Sequence, residues 1–405
     1  MIFVVARRWG RTVAWTSVVL LALSPYAIRY GTEARMYSLV MLLVLGGWYC
    51  LRRALDQTSN WWIVASGVVA VLLLYTHYWS LYLLFSTAVV LAVIGWRTPP
   101  LRRVISRLFA AGVAAGVLYL PWLPSMVEQA RHTGTPWGGR VRPTVMLAQT
   151  INELGGFVAD GEAVGVMLVL LVIFGVFGRS SGPQKVELDL RAKGAMGPEA
   201  AIVVLTMAVA AGALAATNSA YASRYAAVVV PFVIVMAALG VHHLGTPRTK
   251  VCAAALVAVL GVPGIVANLR VDRTQGTAAA TLINAQAAPG DLVVYCPDQL
   301  GPAGSRALRA DLQAFRYPDL GDPRFVDWRD YAARNAVTKP ADVGATLLSI
   351  AGSRTIWLVW NGGYRTLSDQ CEQLGTAFAA TRKPVVIMLP SKAFEPANLY
   401  RYSPS

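Results

Sequence analysis

Residues 24–39 read SPYAIRYGTEARMYSL, and this stretch decides how the chain is read because it sets charged and polar groups between two apolar runs, Val13–Ala22 and Met36–Trp48. Each run is about long enough to enter a bilayer, so Arg29, Glu33 and Arg35 fall where two membrane helices meet water. Charges beside a span are costly unless they are paired, solvated or used. Thr32 is a fair N-cap, which predicts Glu33–Arg35 in the first turn of the second helix, with free backbone N–H groups beside a guanidinium. That combination suits a phosphate. A second reading stands beside it on the motif alone: Arg29 and Arg35 snorkel, and Glu33 caps the helix or pairs with an arginine.

Outward from the motif the chain stays apolar. Hydrophobic residues make up 56% and charged residues 14%, with a positive mean hydropathy. Soluble globular chains rarely reach such values, so a polytopic membrane protein is expected. The net charge of +15 invites a nucleic-acid reading, but residues 1–267 hold 21 Lys/Arg against 9 Asp/Glu while 268–405 hold 15 against 12. The surplus belongs to the apolar part, where membrane topology explains it and no nucleic-acid partner is expected. Nine apolar segments follow one another at roughly 13–29, 36–51, 61–76, 81–96, 106–123, 163–178, 199–217, 225–241 and 250–267. One set of their ends carries fifteen cations, from Arg7, Arg8 and Arg11 through Arg52, Arg53 and the 97–107 and 179–193 groups to Arg248 and Lys250. The other carries six: Arg29, Arg35, Arg131, Arg140, Arg142 and Arg224. The positive-inside rule then predicts a cytoplasmic N-terminus, and nine spans export the C-terminal part. No A-x-A-like cleavage site precedes the motif, so the first run is read as a retained helix rather than a signal peptide.

The apolar domain is expected over 1–267, with an outer loop at 124–162 whose amphipathic stretch Val145–Phe157 reads either as a lid or re-entrant helix or as a surface connector. Residues 268–405 change pattern. Asp291–Cys296, Arg354–Trp360 and Pro384–Leu389 read as strands, and Gly304–Ala314, Ala341–Ala351 and Ser368–Thr381 as helices, which predicts a small α/β sandwich domain. Gly362 and Gly363 are a turn rather than a nucleotide site, since no G-x-G-x-x-G or P-loop spacing accompanies the strands. Cys50 and Cys252 lie in apolar runs and read as inert packing residues. Cys296 and Cys371 lie in the C-terminal part, where exposure to an oxidising compartment would let them pair, although sequence alone leaves their separation open.

By this topology four polar elements share the outer side: Tyr30–Tyr37, Thr76–Trp79 with His77, the long loop with Glu128, Glu153, Asp160 and Glu162, and Ser223–Tyr225. Two arginine–tyrosine sites near one surface suggest a cavity for a lipid-linked anion and a polar acceptor, with Arg35 and Arg224 holding the phosphate and Tyr30, Tyr37 or Tyr225 donating hydrogen bonds. His77 reads as an interfacial or supporting residue rather than a metal ligand. No H-E-x-x-H, paired Cys/His spacing or nucleophile elbow is present, so no cofactor is identified and no motif supports a divalent cation.

SPYAIRYGTEARMYSL resembles the signature of bacterial membrane glycosyltransferases of family 39, the protein-mannosyltransferase-like members of the GT-C fold, in which P-x-x-I-x-Y-x-x-E-A-R-M-Y-S-L recurs. The later runs YTHYWSLY, SRYAAVVVPF and PGDLVVYCPDQLGPAGSRAL follow in the order and spacing of that family, so the resemblance covers essentially the whole chain. It implies a GT-C membrane domain with an extracytoplasmic α/β domain, and transfer of a sugar, with inversion, from a polyprenyl phosphate to a lipid, glycan or protein acceptor outside the cytoplasmic membrane. Mannose is the candidate sugar, on which the motif itself says little. Carried over by position, Arg35 and Arg224 are the phosphate-side arginines, Tyr30 and Tyr37 their neighbours, and Glu33 a motif residue without an assigned role.

The resemblance also implies a catalytic aspartate in a first outer loop, between two spans ahead of the Ser-Pro helix. Here Met1 lies only a dozen residues before that helix. The expectation is thus either a chain that starts late, at an internal methionine, so that activity belongs to a longer protein, or a truncated chain that has lost its N-terminal spans and their acid and is inactive as written unless Glu33, Glu128, Glu153 or Asp160 replaces the base. Two rival readings are a transporter or flippase of lipid-linked saccharides, which should carry midplane charges and repeated halves that are not seen, and a non-catalytic cell-envelope assembly subunit.

Overall fold

The computed structural model describes residues 1–404 other than 136, 137, 140, 157–160, 183, 184 and 191–195. The chain divides into two compact units, Met1–Ser125 with Arg140–Leu269, and Met126–Gly139 with Arg270–Ser405. The segment 126–139 of the long loop therefore groups with the C-terminal residues.

The first unit is helical. In chain order its helices are α1 (Ile2–Ala6), α2 (Arg11–Ala22), α3 (Pro25–Gly31), α4 (Tyr37–Gln57), α5 (Asn60–Thr76), α6 (Ser80–Arg97) and α7 (Arg102–Tyr119). Then come α8 (Leu123–His132), which runs on into the second unit, α9 (Pro143–Leu154) and α10 (Gly161–Phe177). A hairpin of β1 (Gly178–Gly182) and β2 (Lys185–Leu188) precedes α11 (Gly197–Thr217), α12 (Val230–His243) and α13 (Pro247–Arg270). Every apolar segment read from the sequence overlaps one of these helices. Among the described residues five stretches are long and apolar enough to cross a membrane, or six if the bent pair α2–α3 is one span. The helices α5 and α10 have 17 residues and α12 has 14.

Local chemistry accounts for the bend. Pro25 cannot donate to the helix before it, and the Ser24 hydroxyl accepts the Ala27 N–H at 3.2 Å, so a new helix starts 61° away from the old one. The next boundary corrects the expectation for Thr32. That residue ends α3 instead of starting α4: its N–H bonds the Ile28 carbonyl, and its hydroxyl donates to the same carbonyl at 2.9 Å. A hydroxyl that can reach back to a carbonyl caps the end it follows, so Glu33–Arg35 form a turn and α4 begins at Tyr37.

The core of this unit is α12, whose residues from Val230 to Val241 are all buried apart from Val233. Cys252, expected to pack, is instead exposed on α13.

The second unit holds a five-stranded mixed sheet. Its elements are α14 (Gly276–Gln286), β3 (Leu292–Cys296), α15 (Gly301–Ser305), β4 (Gln313–Arg316), α16 (Tyr331–Val337), α17 (Pro340–Ala351), β5 (Ile356–Trp360), α18 (Gln370–Ala379), β6 (Arg382–Met388) and β7 (Asn398–Pro404). Strand order is β4-β3-β5-β7-β6, with β4, β3 and β5 parallel and β7 antiparallel to both its neighbours. Because side chains alternate along a strand, Leu292, Val294, Ile356 and Leu358 pack under α17 and α18, while Val293, Tyr295, Trp357 and Val359 pack on α14. Both faces are covered, which is why these strands read as continuous apolar runs.

Two assignments change here. Gly304–Ala314, expected to be helical, is a short helix ending at Ser305 and a strand from Gln313 that pairs with β3 from Leu292 onward. Its backbone groups are satisfied by the neighbouring strand, which overrides helix propensity. The sandwich is built on one sheet, in which β7, a C-terminal strand the sequence reading did not contain, lies between β5 and β6. Cys296 and Cys371 form a disulfide, joining the end of β3 to α18 with Cα atoms 5.6 Å apart.

Candidate functional site

The bend at Ser24 and Pro25 carries Tyr26, Arg29 and Tyr30 away from the axis of α2. The Tyr26 hydroxyl donates to the Arg224 carbonyl at 3.1 Å, which docks α3 on the 3-10 turn Ser223–Val228. From there aromatic rings run in a chain. Tyr26 meets Tyr30 at 4.6 Å, Tyr30 meets Tyr37 at 5.1 Å, Tyr37 meets His77 at 5.6 Å and His77 meets Tyr225 at 5.6 Å between ring centroids. Trp79 adds contacts to Tyr225 at 5.4 Å and Tyr221 at 5.6 Å. Residues from three separate stretches of the sequence thus share one cluster.

Arg224 lies within it, partly buried, its guanidinium carbon 5.6 Å from the Tyr225 ring centroid. The charge of Arg224 reaches Tyr30, Tyr37 and His77. His77 is buried and its Nδ1 accepts the Trp79 N–H at 3.1 Å. Burial first, and then the nearby Arg224 charge, push its imidazole down to about 4, so near pH 7 it is a neutral acceptor in the cluster and not a second cation.

Arg35 stands differently. It pairs with Glu33 at 3.1 Å and its side chain is 47% exposed, which leaves Glu33 as its partner. Tyr37 is the residue that the charges of both Arg35 and Arg224 reach.

The acids of the long loop separate. Glu153, on the inner face of α9, is 2% exposed; its Oε1 accepts the Tyr30 hydroxyl at 2.9 Å and lies 3.1 Å from Arg29 Nη1. Glu128 is taken up in the second unit, 2.8 Å from Arg329 and 3.7 Å from His132. Glu162 is exposed, and Asp160 lies outside the described residues. Of the two readings for Arg29, snorkelling or a paired charge, the contact with Glu153 favours the second.

The sequence reading gave no site role to Tyr26, Trp79 or Tyr221. For Tyr26 the signal was there: it stands four residues before Tyr30 on α3, the spacing that stacks side chains on one helical face. What hid it was the apolar setting, in which aromatic residues read as core.

Among the described residues no group of three His, Cys, Asp or Glu side chains could hold a metal ion. An apolar cavity of about 440 Å³ opens among α4, α5, α6 and α7, walled by residues such as Leu73, Leu83, Gly112 and Gly116 and reaching Trp48 and Leu51.

Together the long apolar helices, the buried aromatic cluster and the C-terminal sheet define a mostly helical membrane protein with a C-terminal sheet domain. No protein-family model matches the chain, and no curated protein is significantly similar to it.

Proposed function

We propose that the chain is an integral membrane glycosyltransferase of GT-C type, with nine crossings, that moves a sugar from a polyprenyl-phosphate donor to a lipid, glycan or protein acceptor outside the cytoplasmic membrane. The observation that carries this reading is Arg224, a cation held among the rings of Tyr30, Tyr37, His77 and Tyr225 where helices end. A polyprenyl phosphate is a membrane-soluble leaving group. Its departure needs a fixed positive charge and hydroxyl donors around the developing anion, and no nucleotide fold. Tyr30, Tyr37 and Tyr225 supply the hydroxyls, Arg35 adds a second cation from the rim, and the neutral His77 holds the loop that carries Trp79. The cavity among α4–α7 has the apolar lining a prenyl chain requires.

The orientation follows from the loop charges, with the N-terminus cytoplasmic and the sheet domain outside. The disulfide between Cys296 and Cys371 supports that assignment, because such bonds persist in oxidising compartments. The sheet domain is assigned the binding or orienting of the acceptor, and mannose is the first sugar to try.

The test is transfer of radiolabelled sugar from polyprenyl-phosphate mannose, then glucose, in membranes containing the protein. Arg224→Ala should lose about 100-fold or more in kcat/KM, and Arg35→Ala about 10-fold, with membrane insertion intact. Near-normal transfer by the Arg224 variant removes the phosphate role.

A further inference from the structure

At one end of α4, α5 and α7, away from the aromatic cluster, arginines are built into a fixed arrangement. Between Leu45 and Ala110 the sequence holds six arginines, Arg52, Arg53, Arg97, Arg102, Arg103 and Arg107, against a single acid, Asp56. Asp56 is taken by Arg8 at 2.6 Å, and Arg52 is taken by Glu199. Among the described residues no acid pairs with Arg53, Arg103 or Arg107. Rings hold Arg53 instead: its guanidinium carbon lies 5.7 Å from the Tyr49 centroid and 5.5 Å from that of Trp62, and the two rings meet edge to face at 5.5 Å. Its Nε is buried with no hydrogen-bond partner among the described residues. A guanidinium stacked on aromatic faces keeps the N–H groups in its own plane free for an oxyanion. Arg107 is drawn to the same corner, where its Nη1 donates to Asn60 Oδ1 at 3.1 Å, two residues from Trp62. Ala54, Ile63, Val104 and Leu108 are buried together there, which joins the ends of α4, α5 and α7.

Beyond this corner the surface turns to hydrocarbon. Trp61 is 70% exposed, and exposed apolar residues continue from it along α5 as Val64 and Val68 and along α7 as Val113 and Val117. The two helices lie close, since a Cβ on Gly67 would stand 3.3 Å from that of Ala111. Cations, then an interfacial tryptophan, then aliphatic side chains is the order of layers that the headgroup, interface and acyl chains of a phospholipid meet. A soluble anion or a nucleic acid matches only the first of them.

We infer that this corner is a binding site for an anionic phospholipid, with its phosphate on Arg53 and Arg107 and its acyl chains along the exposed faces of α5 and α7. The inference rests on the chain crossing a membrane and is independent of the transferase reading. Loop charge alone asks only for a surplus of cations on one side of the bilayer. Here one cation is oriented by two rings and a second by an asparagine, so much of the ordering cost is met before the lipid arrives. The bound headgroup ties α4 to α7 at an end where Arg53 and Arg107 have no acid of the protein to bridge them.

The test is thermal unfolding of the full chain in an uncharged detergent, titrated with phosphatidylglycerol, with phosphatidylcholine and inorganic phosphate as comparison probes. Phosphatidylglycerol should raise the unfolding temperature saturably, and the other two should leave it in place. Arg53→Gln and Arg107→Gln should each weaken the apparent phosphatidylglycerol affinity about five-fold, and the two together about 20-fold or more. Arg248→Gln, which removes an exposed cation at the start of α13, should leave that affinity unchanged. Arg53→Lys keeps the charge without the planar fork and should still bind more weakly than the native chain. Native mass spectrometry of the same samples should show less phosphatidylglycerol retained by the Arg53 and Arg107 variants. An equal loss in Arg248→Gln reduces the effect to diffuse charge and overturns the site, as does indifference of the Arg53 and Arg107 variants. An inorganic phosphate shift that matches the phosphatidylglycerol shift overturns the lipid as the ligand. If Arg53→Gln does not fold, Arg107→Gln and Arg103→Gln, at exposed positions, decide the matter.

Discussion

Gly175 of α10 and Gly240 of α12 meet backbone to backbone: a Cβ on Gly175 would lie 2.0 Å from the Met236 carbonyl oxygen, and one on Gly240 1.9 Å from that of Leu171. Where lipid competes equally for apolar side chains, such close approach is what holds two helices together.

Gly175→Ala and Gly240→Ala should therefore each lower stability by about 2 kcal/mol or more, since neither carbonyl can withdraw without parting the helices. Gly112→Ala and Gly116→Ala, where a new Cβ meets nothing within 4 Å, should leave the unfolding temperature in detergent unchanged. Equal effects at all four positions would refute the close crossing.

A second prediction concerns Arg52 and Glu199, which join α4 to the start of α11. Glu199 is 1% exposed, accepts the Trp48 indole N–H at 3.1 Å and pairs with Arg52. Removing one partner strands a buried charge. Glu199→Ala should cost about 3–5 kcal/mol, while the double variant Arg52→Met with Glu199→Met should recover most of it. A double-mutant cycle read by thermal unfolding checks this, and an additive double variant counts against the pair.

The disulfide closes a sequence separation of 75 residues. Loop entropy alone assigns a bridge of that span about 4 kcal/mol, so Cys296→Ser with Cys371→Ser should shift the sheet domain's urea midpoint down by a matching amount. Reduction of the unaltered protein should do the same. A midpoint indifferent to both would show that the unfolded chain is not constrained by this bond.

Asp298 supplies a pH dependence. It is 1% exposed and accepts the Tyr331 hydroxyl at 2.6 Å. Burial pushes its carboxyl up to about 6, against the pull of the Tyr331 hydrogen bond and the Arg316 charge. The folded domain thus keeps a proton that an unfolded chain releases near 4, so the contribution is full below about 4 and is lost as pH rises through about 6. Asp298→Asn, neutral throughout, should be about 1–3 kcal/mol more stable than the native domain at pH 7.5 and no different at pH 4. A constant difference across that window would exclude Asp298 as its source.

How far the fold was legible depended on the range of the interactions. The apolar segments announced their helices because burial in lipid demands a continuous run, and Ser24-Pro25 announced a break because proline and a hydroxyl act on neighbours three or four residues away. The strands β3 and β5 were legible for the same reason, being apolar along their whole length. Beyond that range the reading lost its hold. Thr32 has a hydroxyl suited to either helix end, and only the position of the Ile28 carbonyl decided that it closes α3. Gln313–Arg316 became a strand because β3 lay beside it, and the C-terminal residues became a central strand because β5 and β6 left a gap for them.

The candidate site divides along the same line. Residue types and local order picked out Arg35, Arg224, Tyr30, Tyr37, Tyr225 and His77, because cations and tyrosines at the ends of apolar runs are conspicuous one by one. Their grouping was a matter of tertiary contact alone. Arg35 was drawn to Glu33 at the rim, Arg224 into the aromatic cluster, and Arg29 and Tyr30 onto Glu153, 124 and 123 residues along the chain. Charge and hydrogen-bond partners are chosen by distance in space, and a linear sequence carries no measure of that distance between one helix and another.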